Sequence, residues 1–197
     1  MRITKTTLIQ NSFRISSGLF KGLKFKFPSS EGLRPTKTIV KETLFNWLQF
    51  AIPGSKVLDL FSGSGSLAFE AISREAISVT IVEKDKTVFD SLKKNSNFLK
   101  ASSSIQLIND DALNYIERIK NTRFDIVFLD PPFFKNYLAS CLSKIEVNQI
   151  IGKKSKIYIE SEFEISEDFL KENLVSSFEL KKNKKSGDVY YSLVEIL

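Results

Sequence analysis

Apolar and polar positions along this chain switch between two periods, and the switches mark its elements. Residues 1–11 are polar with little periodicity and read as a loose tail or a short first strand. From Phe13-Arg14-Ile15 to Gly18, and again over Gly22-Leu23-Lys24-Phe25-Lys26-Phe27, apolar residues alternate with basic ones around a glycine-containing turn. That predicts a hairpin with one basic face. Pro28-Ser29-Ser30-Glu31-Gly32 ends it as a loop, and Leu33-Arg34-Pro35-Thr36 leads into a helix. Thr36 is its expected N-cap, Val40, Leu44, Trp47, Leu48 and Ala51 form its apolar stripe, and Pro53-Gly54 stops it.

Beyond residue 54 short β-branched runs alternate with helical stripes. Strands are expected over 57–59, 79–82, 105–108, 124–129 and 156–160, and helices over 67–74, 88–99, 113–120, 137–145 and 167–173. Cys141 falls on a buried stripe of the fourth of these helices. A last hairpin joins 178–182 to 189–196 around Ser186-Gly187-Asp188. Repeated βα units imply an α/β fold of Rossmann type: parallel strands, helices on both faces and an antiparallel closing edge.

The organising stretch is Val57-Leu58-Asp59-Leu60-Phe61-Ser62-Gly63-Ser64-Gly65-Ser66, an apolar strand that ends in an acid and turns through two glycines into a helix. Glycines at 63 and 65 let backbone approach a ligand closely, and the helix starting near Ser66 turns free N–H groups into the same space. A tight βα turn with no ligand has the same pattern. What separates the two is the ends of the other strands, where ligands sit in such a sheet. Those ends carry Glu83, Asp111 and Asp130 beside Asp59. Glu83 lies twenty residues past Gly63, the separation at which an acid accepts from ribose hydroxyls. Lys84 adjoins it, and Asp111-Ala112 falls where an adenine edge would be read.

Gly63-Ser64-Gly65-Ser66-Leu67-Ala68 also fits a dinucleotide fingerprint, so a nicotinamide-dependent dehydrogenase is a competing class. Asp59 argues against it, because a carboxylate beside the loop repels a pyrophosphate and suits a ligand bearing an ammonium group, such as S-adenosylmethionine. So does Asp130-Pro131-Pro132-Phe133. Two prolines offer no N–H, and their peptide carbonyls face outward as acceptors. With Asp130 and the Pro131 carbonyl taking the two hydrogens of an exocyclic amine and Phe133 stacking on the ring, this cluster suits a nucleobase.

Composition narrows the class further. At 197 residues, 42% hydrophobic and 26% charged, the chain is expected to form one globular domain, a basic leader over residues 1–35 followed by a catalytic core over 36–197. No apolar run has membrane-spanning length and the first residues lead into no hydrophobic signal core, so a cytoplasmic protein is expected. A single Cys141 and the absence of histidine exclude an internal disulfide, the usual metal-ligand sets and histidine triads. Charge is uneven: residues 1–41 hold nine basic side chains against Glu31, a net +8, and the remainder sums to −2. This points to a polyanionic partner, nucleic acid first, with Arg14, Lys21, Lys24 and Arg34 as the leading phosphate contacts and the run over 181–185 as a competing patch. A solvated lysine-rich surface is the plain alternative.

Together, the Asp59 glycine loop, Glu83, Asp111-Ala112 and Asp130-Pro131-Pro132-Phe133 resemble the class I S-adenosylmethionine-dependent methyltransferases that modify amino groups of bases. The narrower resemblance is to the bacterial RsmD family, the 16S rRNA guanine-N2 methyltransferases. It rests on Arg14-Ile15 to Gly18, Lys21-Gly22, Gly32-Leu33-Arg34-Pro35-Thr36, Glu42-Thr43-Leu44-Phe45-Asn46-Trp47-Leu48, 58–65 and Tyr158-Ile159-Glu160-Ser161-Glu162. This implies a seven-stranded sheet, S-adenosyl-L-methionine held by Asp59, Phe61, Ser62, Gly63, Ser64, Gly65, Glu83, Lys84, Asp111 and Ala112, catalysis by Asp130, Pro131, Pro132 and Phe133, and a monomer acting without metal on 16S rRNA in the small subunit. Where the family carries an Asp and two Arg between Thr36 and Glu42, this chain has Thr38, Ile39 and Lys41, and Lys cannot reproduce an arginine fork. An N6-adenine methyltransferase and a non-catalytic RNA-binding module remain as alternative readings.

Overall fold

A computed structural model of the chain describes residues 10–29, 37–99, 102–133 and 135–197. Its main sheet has seven strands in the order β5-β4-β3-β6-β7-β9-β8: β3 (Lys56–Asp59), β4 (Ser78–Glu83), β5 (Ile105–Asn109), β6 (Ile126–Leu129), β7 (Lys156–Ser161), β8 (Phe178–Ser186) and β9 (Val189–Ile196). Pairings from β5 through to β7 are parallel, while β9 runs antiparallel to β7 and to β8. The central strands are apolar at successive positions because both faces are covered. Val57, Ile81, Phe128, Tyr158 and Leu193 face a layer built from α1 (Thr38–Trp47), α2 (Ser66–Ser73) and α3 (Lys86–Phe98). Leu58, Val82, Val127, Ile159 and Val194 face α4 (Ala112–Arg118), α5 (Tyr137–Val147) and α6 (Glu167–Asn173). Among the described residues no helix is long and apolar enough to cross a membrane.

The first hairpin is β1 (Gln10–Arg14) paired antiparallel with β2 (Lys24–Pro28), Phe13 opposite Phe25. Its apolar face joins the core: Phe13, Ile15, Phe25 and Phe27 are buried, and Phe25 stacks on Phe69 of α2 at 5.2 Å. Burying each such side chain is worth about 1.5–3 kcal/mol, so the hairpin is welded to the α2–α3 layer. Its connecting loop lies against the last turn of α2. Leu19 N donates to Ser73 O at 2.7 Å, Phe20 N donates to Ser73 Oγ, and Ser73 Oγ donates to Ser17 O. Gly18 has φ +82°, and a Cβ there would lie 1.8 Å from Ser73 O, so only glycine fits this crossing.

Two expectations need correction. The first helix begins at Thr38 with Lys37 at the N-cap position and no side-chain cap; Thr36, the expected cap, and Arg34 lie outside the described residues. The stop near Lys182 in the last hairpin is also wrong. Every residue from Lys182 to Ser186 pairs with β9, so backbone pairing carries the strand through a lysine-rich stretch after a register shift between Leu180 and Lys182. Trp47 is half-buried and stacks on Tyr191 at 5.4 Å, and Cys141 is buried on α5, its thiol pushed up to about 12 by desolvation.

Candidate functional site

The chain leaves β3 for β4 and β5 on one side and returns to β6 on the other, so strand order reverses between β3 and β6. The crevice beyond that reversal is where such sheets hold ligands. Alternation carries the pattern of Val57, Ile81 and Phe128 two residues onward, to Asp59, Glu83 and Asp130, at the carboxyl end of the sheet on the α1–α3 side.

The glycine loop is fixed by backbone bonds. Ser62 N donates to Val82 O, Gly65 N to Ser62 O and Leu60 N to Phe128 O, lashing the loop to both neighbouring strands. Gly63 and Gly65 have φ of +50° and +80°; a Cβ on Gly65 would come within 2.6 Å of Leu92 Cδ2 and Phe69 Cε2. Ser64 Oγ accepts from Ser66 N, and buried Ser62 donates to the Asp59 carbonyl. Phe61 meets Tyr137 edge-on at 5.7 Å. Glu83 is tied into the loop: Oε2 accepts from Gly63 N at 2.8 Å and Oε1 from Asp85 N at 2.7 Å, leaving lone pairs on both oxygens for a ligand. Burial holds its pKa above the ordinary value despite those bonds.

Asp111 serves α4 as N-cap, its Oδ1 accepting from Leu113 N at 3.0 Å, while Oδ2 pairs with exposed Lys84 at 3.1 Å. Ala112 is buried beside it. The sequence motif thus has a structural duty of its own, and Lys84 lies over the entrance rather than within the loop. After β6, Pro131 is buried, Pro132 exposed and Phe133 half-exposed.

Asp59 is 3% exposed, and its Oδ2 has no hydrogen-bond partner among the described residues. Desolvation, with Asp130 and Glu83 nearby, pushes its pKa up to about 7; burial does the same for Asp130, also to about 7. Because both values are raised in the folded state, the contribution of the pair to stability is present below the ordinary carboxylate range. It is lost as pH rises through about 7. A cation placed at Asp59 would reverse that penalty.

The strand-end rule also applies to β7, where it picks out a residue that the linear reading placed only within a family motif. Glu160 is 5% exposed, accepts from Tyr158 Oη at 2.8 Å, and lies one register step beyond the Leu129–Ile159 pair, beside Asp130. Burial and the Asp130 charge hold its pKa well above normal. Of the expected RNA contacts, Arg14, Lys21 and Lys24 flank the loop that packs on the far end of α2, and Arg14 donates to Gly22 O at 3.0 Å. Lys41 is buried against Glu70 at 3.3 Å and donates to Arg14 O, so in this chain a lysine does reach an acid. No group of acidic, histidine or cysteine side chains that could hold a metal ion occurs among the described residues.

The model of a family described as conserved hypothetical protein 95 matches residues 13–195. The chain is similar to the ribosomal RNA small subunit methyltransferase D of Haemophilus influenzae, 43% identical over 99% of this chain and all of that one. It is 38% identical to the protein of the same name from Escherichia coli, over 92% of this chain and 89% of the other. Among solved structures it resembles Escherichia coli yhhF, described as a candidate methyltransferase, with a TM-score of 0.83, 36% identity and coverage of 94% and 98%.

Proposed function

Because the chain belongs to the conserved hypothetical protein 95 family, whose members include the small-subunit rRNA methyltransferases D, we infer that it methylates small-subunit ribosomal RNA with S-adenosyl-L-methionine as donor. The target we assign is the exocyclic N2 amine of one guanine in 16S rRNA. The observation that carries the reading is the buried, unpartnered Oδ2 of Asp59 beside the glycine loop, with Asp130 next to it in the crevice. An ammonium group fits the first and an amine with two hydrogens the second.

When bound, S-adenosyl-L-methionine supplies an electrophilic methyl group on a sulfonium. Asp59 takes its ammonium, the spare lone pairs of Glu83 take ribose hydroxyls, and the Asp111–Ala112 corner reads the adenine edge. Phe61, Ser62, Gly63, Ser64 and Gly65 form the floor, with Lys84 at the entrance. Asp130 and the Pro131 carbonyl accept from the target amine, which favours the pyramidal nitrogen and aims its lone pair. Pro132 keeps that corner rigid, and Phe133 stacks on the base. With a pKa of about 7, the Asp130 carboxylate would also take the proton that the nitrogen loses as the N–C bond forms and the S–CH3 bond breaks, the sulfonium leaving as the neutral thioether of S-adenosyl-L-homocysteine.

Two measurements test this. Mass spectrometry of small-subunit RNA from a strain lacking the gene should show one N2-methylguanine missing and restored with the gene; loss of N6-methyladenine instead would assign the site to adenine. Calorimetry should show affinity for S-adenosyl-L-methionine rising up to tenfold per pH unit between about 5.5 and 7 and levelling above, with a proton released to buffer, because Asp59 must ionise to hold the ammonium. Asp59→Asn should flatten the profile. An affinity independent of pH in the parent protein would remove Asp59 from the cofactor site.

A further inference from the structure

The turn of the last hairpin lies at the same end of the sheet as the candidate site. β9 is antiparallel to β7, so Glu160 pairs with Tyr191 and Ser161 with Tyr190, while across β9 those tyrosines face Lys184 and Lys185 of β8. One row therefore runs from Asp130 across Glu160 and Tyr191 to Lys184. Three strand spacings make it about 14 Å, which is at most about four nucleotides, the number reached at the compact rise of about 3.4 Å of a stacked duplex strand. Lys182, Lys184 and Lys185 are exposed. Lys184 lies over the Trp47 ring at 5.9 Å, and Lys185 lies over Tyr190 at 4.5 Å and donates to its hydroxyl at 2.9 Å. Exposed Lys37, at the start of α1, adds a fourth cation and pins the turn by donating to Ser186 O at 3.1 Å.

The leader lies differently. Its loop packs on the last turn of α2, whose first turn follows directly on the glycine loop; eight residues of helix separate the two by about 12 Å. Arg14, Lys21 and Lys24 thus cluster toward the amino ends of the strands, away from Asp130. Cations interleaved with aromatic faces suit a single-stranded nucleic acid, whose phosphates and bases they engage together.

We propose that the site end of the β8–β9 hairpin, with Lys182, Lys184, Lys185 and Lys37, holds the RNA backbone immediately flanking the target nucleotide, and that the leader contacts RNA farther away. This rests on the rRNA methyltransferase reading. The test compares K182Q/K184Q/K185Q with R14Q/K21Q/K24Q on small subunits lacking the modification, measuring kcat/KM across a salt series. The hairpin set should lower kcat/KM tenfold or more, through KM, and flatten the log-affinity against log-salt slope by roughly 2, at about 0.7 for each phosphate no longer neutralised. Melting temperature and cofactor affinity should not move. In a second arm a photocrosslinker at Lys184→Cys should mark nucleotides within about four of the target. A parental salt slope in the hairpin set, or crosslinks confined to distant nucleotides, overturns the proposal. Failure of the parent protein to methylate any small-subunit RNA would overturn the rRNA reading instead.

Discussion

Asp130→Ala is expected to lose methyl transfer by about 100- to 1000-fold in kcat, the 2.7–4 kcal/mol typical of one electrostatic contact made at the transition state, while keeping its fold and its cofactor. The carboxyl lies at the end of β6 beside Glu160 and close enough to Asp59 to raise its pKa, so its removal takes away an acceptor and a like charge together. Its folded-state pKa is already raised by burial, so the variant should melt no lower than the parent at pH 8. The affinity profile for S-adenosyl-L-methionine should also shift to lower pH as Asp59 becomes easier to ionise. Turnover should be measured with labelled methyl donor on unmodified small subunits. A kcat within threefold of the parent, with cofactor bound normally, would rule out Asp130 as the amine acceptor.

The largest expected loss of stability lies elsewhere, at Glu70 on α2. Its carboxylate is fully buried and meets five donors. Oε1 accepts from Ser16 Oγ at 2.7 Å, Ser17 N at 3.0 Å and Arg74 Nε at 2.9 Å, and Oε2 accepts from Ser16 N at 2.8 Å and lies 3.3 Å from Lys41 Nζ. Burial alone would raise its pKa, but the bonds from Ser16 and Arg74 and the charge of Lys41 outweigh that and hold it below the ordinary value. Stability from this group is therefore present at neutral pH and lost as pH falls through the acidic range. Glu70→Ala strands Lys41, itself 4% exposed, and should cost about 3–5 kcal/mol, or roughly 6–20 °C in Tm for a chain of this size. Adding Lys41→Met should recover part of that loss, since an apolar pair tolerates burial better than a lone cation. A melting point for Glu70→Ala within 2 °C of the parent would show that the hairpin is held by its phenylalanines alone.

The fate of Glu70 illustrates what a linear reading can reach. Elements with strong periods fall close to their expected bounds: β9 and α6 match, and Asp59, Glu83, Asp111 and Asp130 all lie at or just past the carboxyl ends of their strands. This works because a parallel sheet puts every strand end on one edge, so chain order alone brings the acids to one rim. Only the Arg74 partner of Glu70, four residues on, is legible; Ser16, Ser17 and Lys41 are distant in sequence, so the buried role of Glu70 is not. Glu160 is legible by the same strand-end rule, since it is the last residue but one of β7 and follows an apolar run as Asp59 and Glu83 do. The position of the leader is hidden too, since a basic alternating pattern predicts a hairpin but not which end of a helix it packs against. β8 runs past its expected end because lysines oppose strand propensity, which pairing to β9 overrides.

That strand has a further consequence, for solubility. β8 is the last strand of the sheet, and a nine-residue edge offers unpaired backbone groups to any passing strand. Lysine at 181, 182, 184 and 185 is the kind of side chain that discourages such pairing, through charge repulsion between copies and the hydration of its amines. Apolar replacements there would turn the edge into a template for aggregation. Glutamine removes the charge while keeping the edge polar. Solubility and the proposed RNA contact thus favour the same three residues, Lys182, Lys184 and Lys185, so the side chains that would meet RNA are also the ones that keep the sheet from extending into its neighbours.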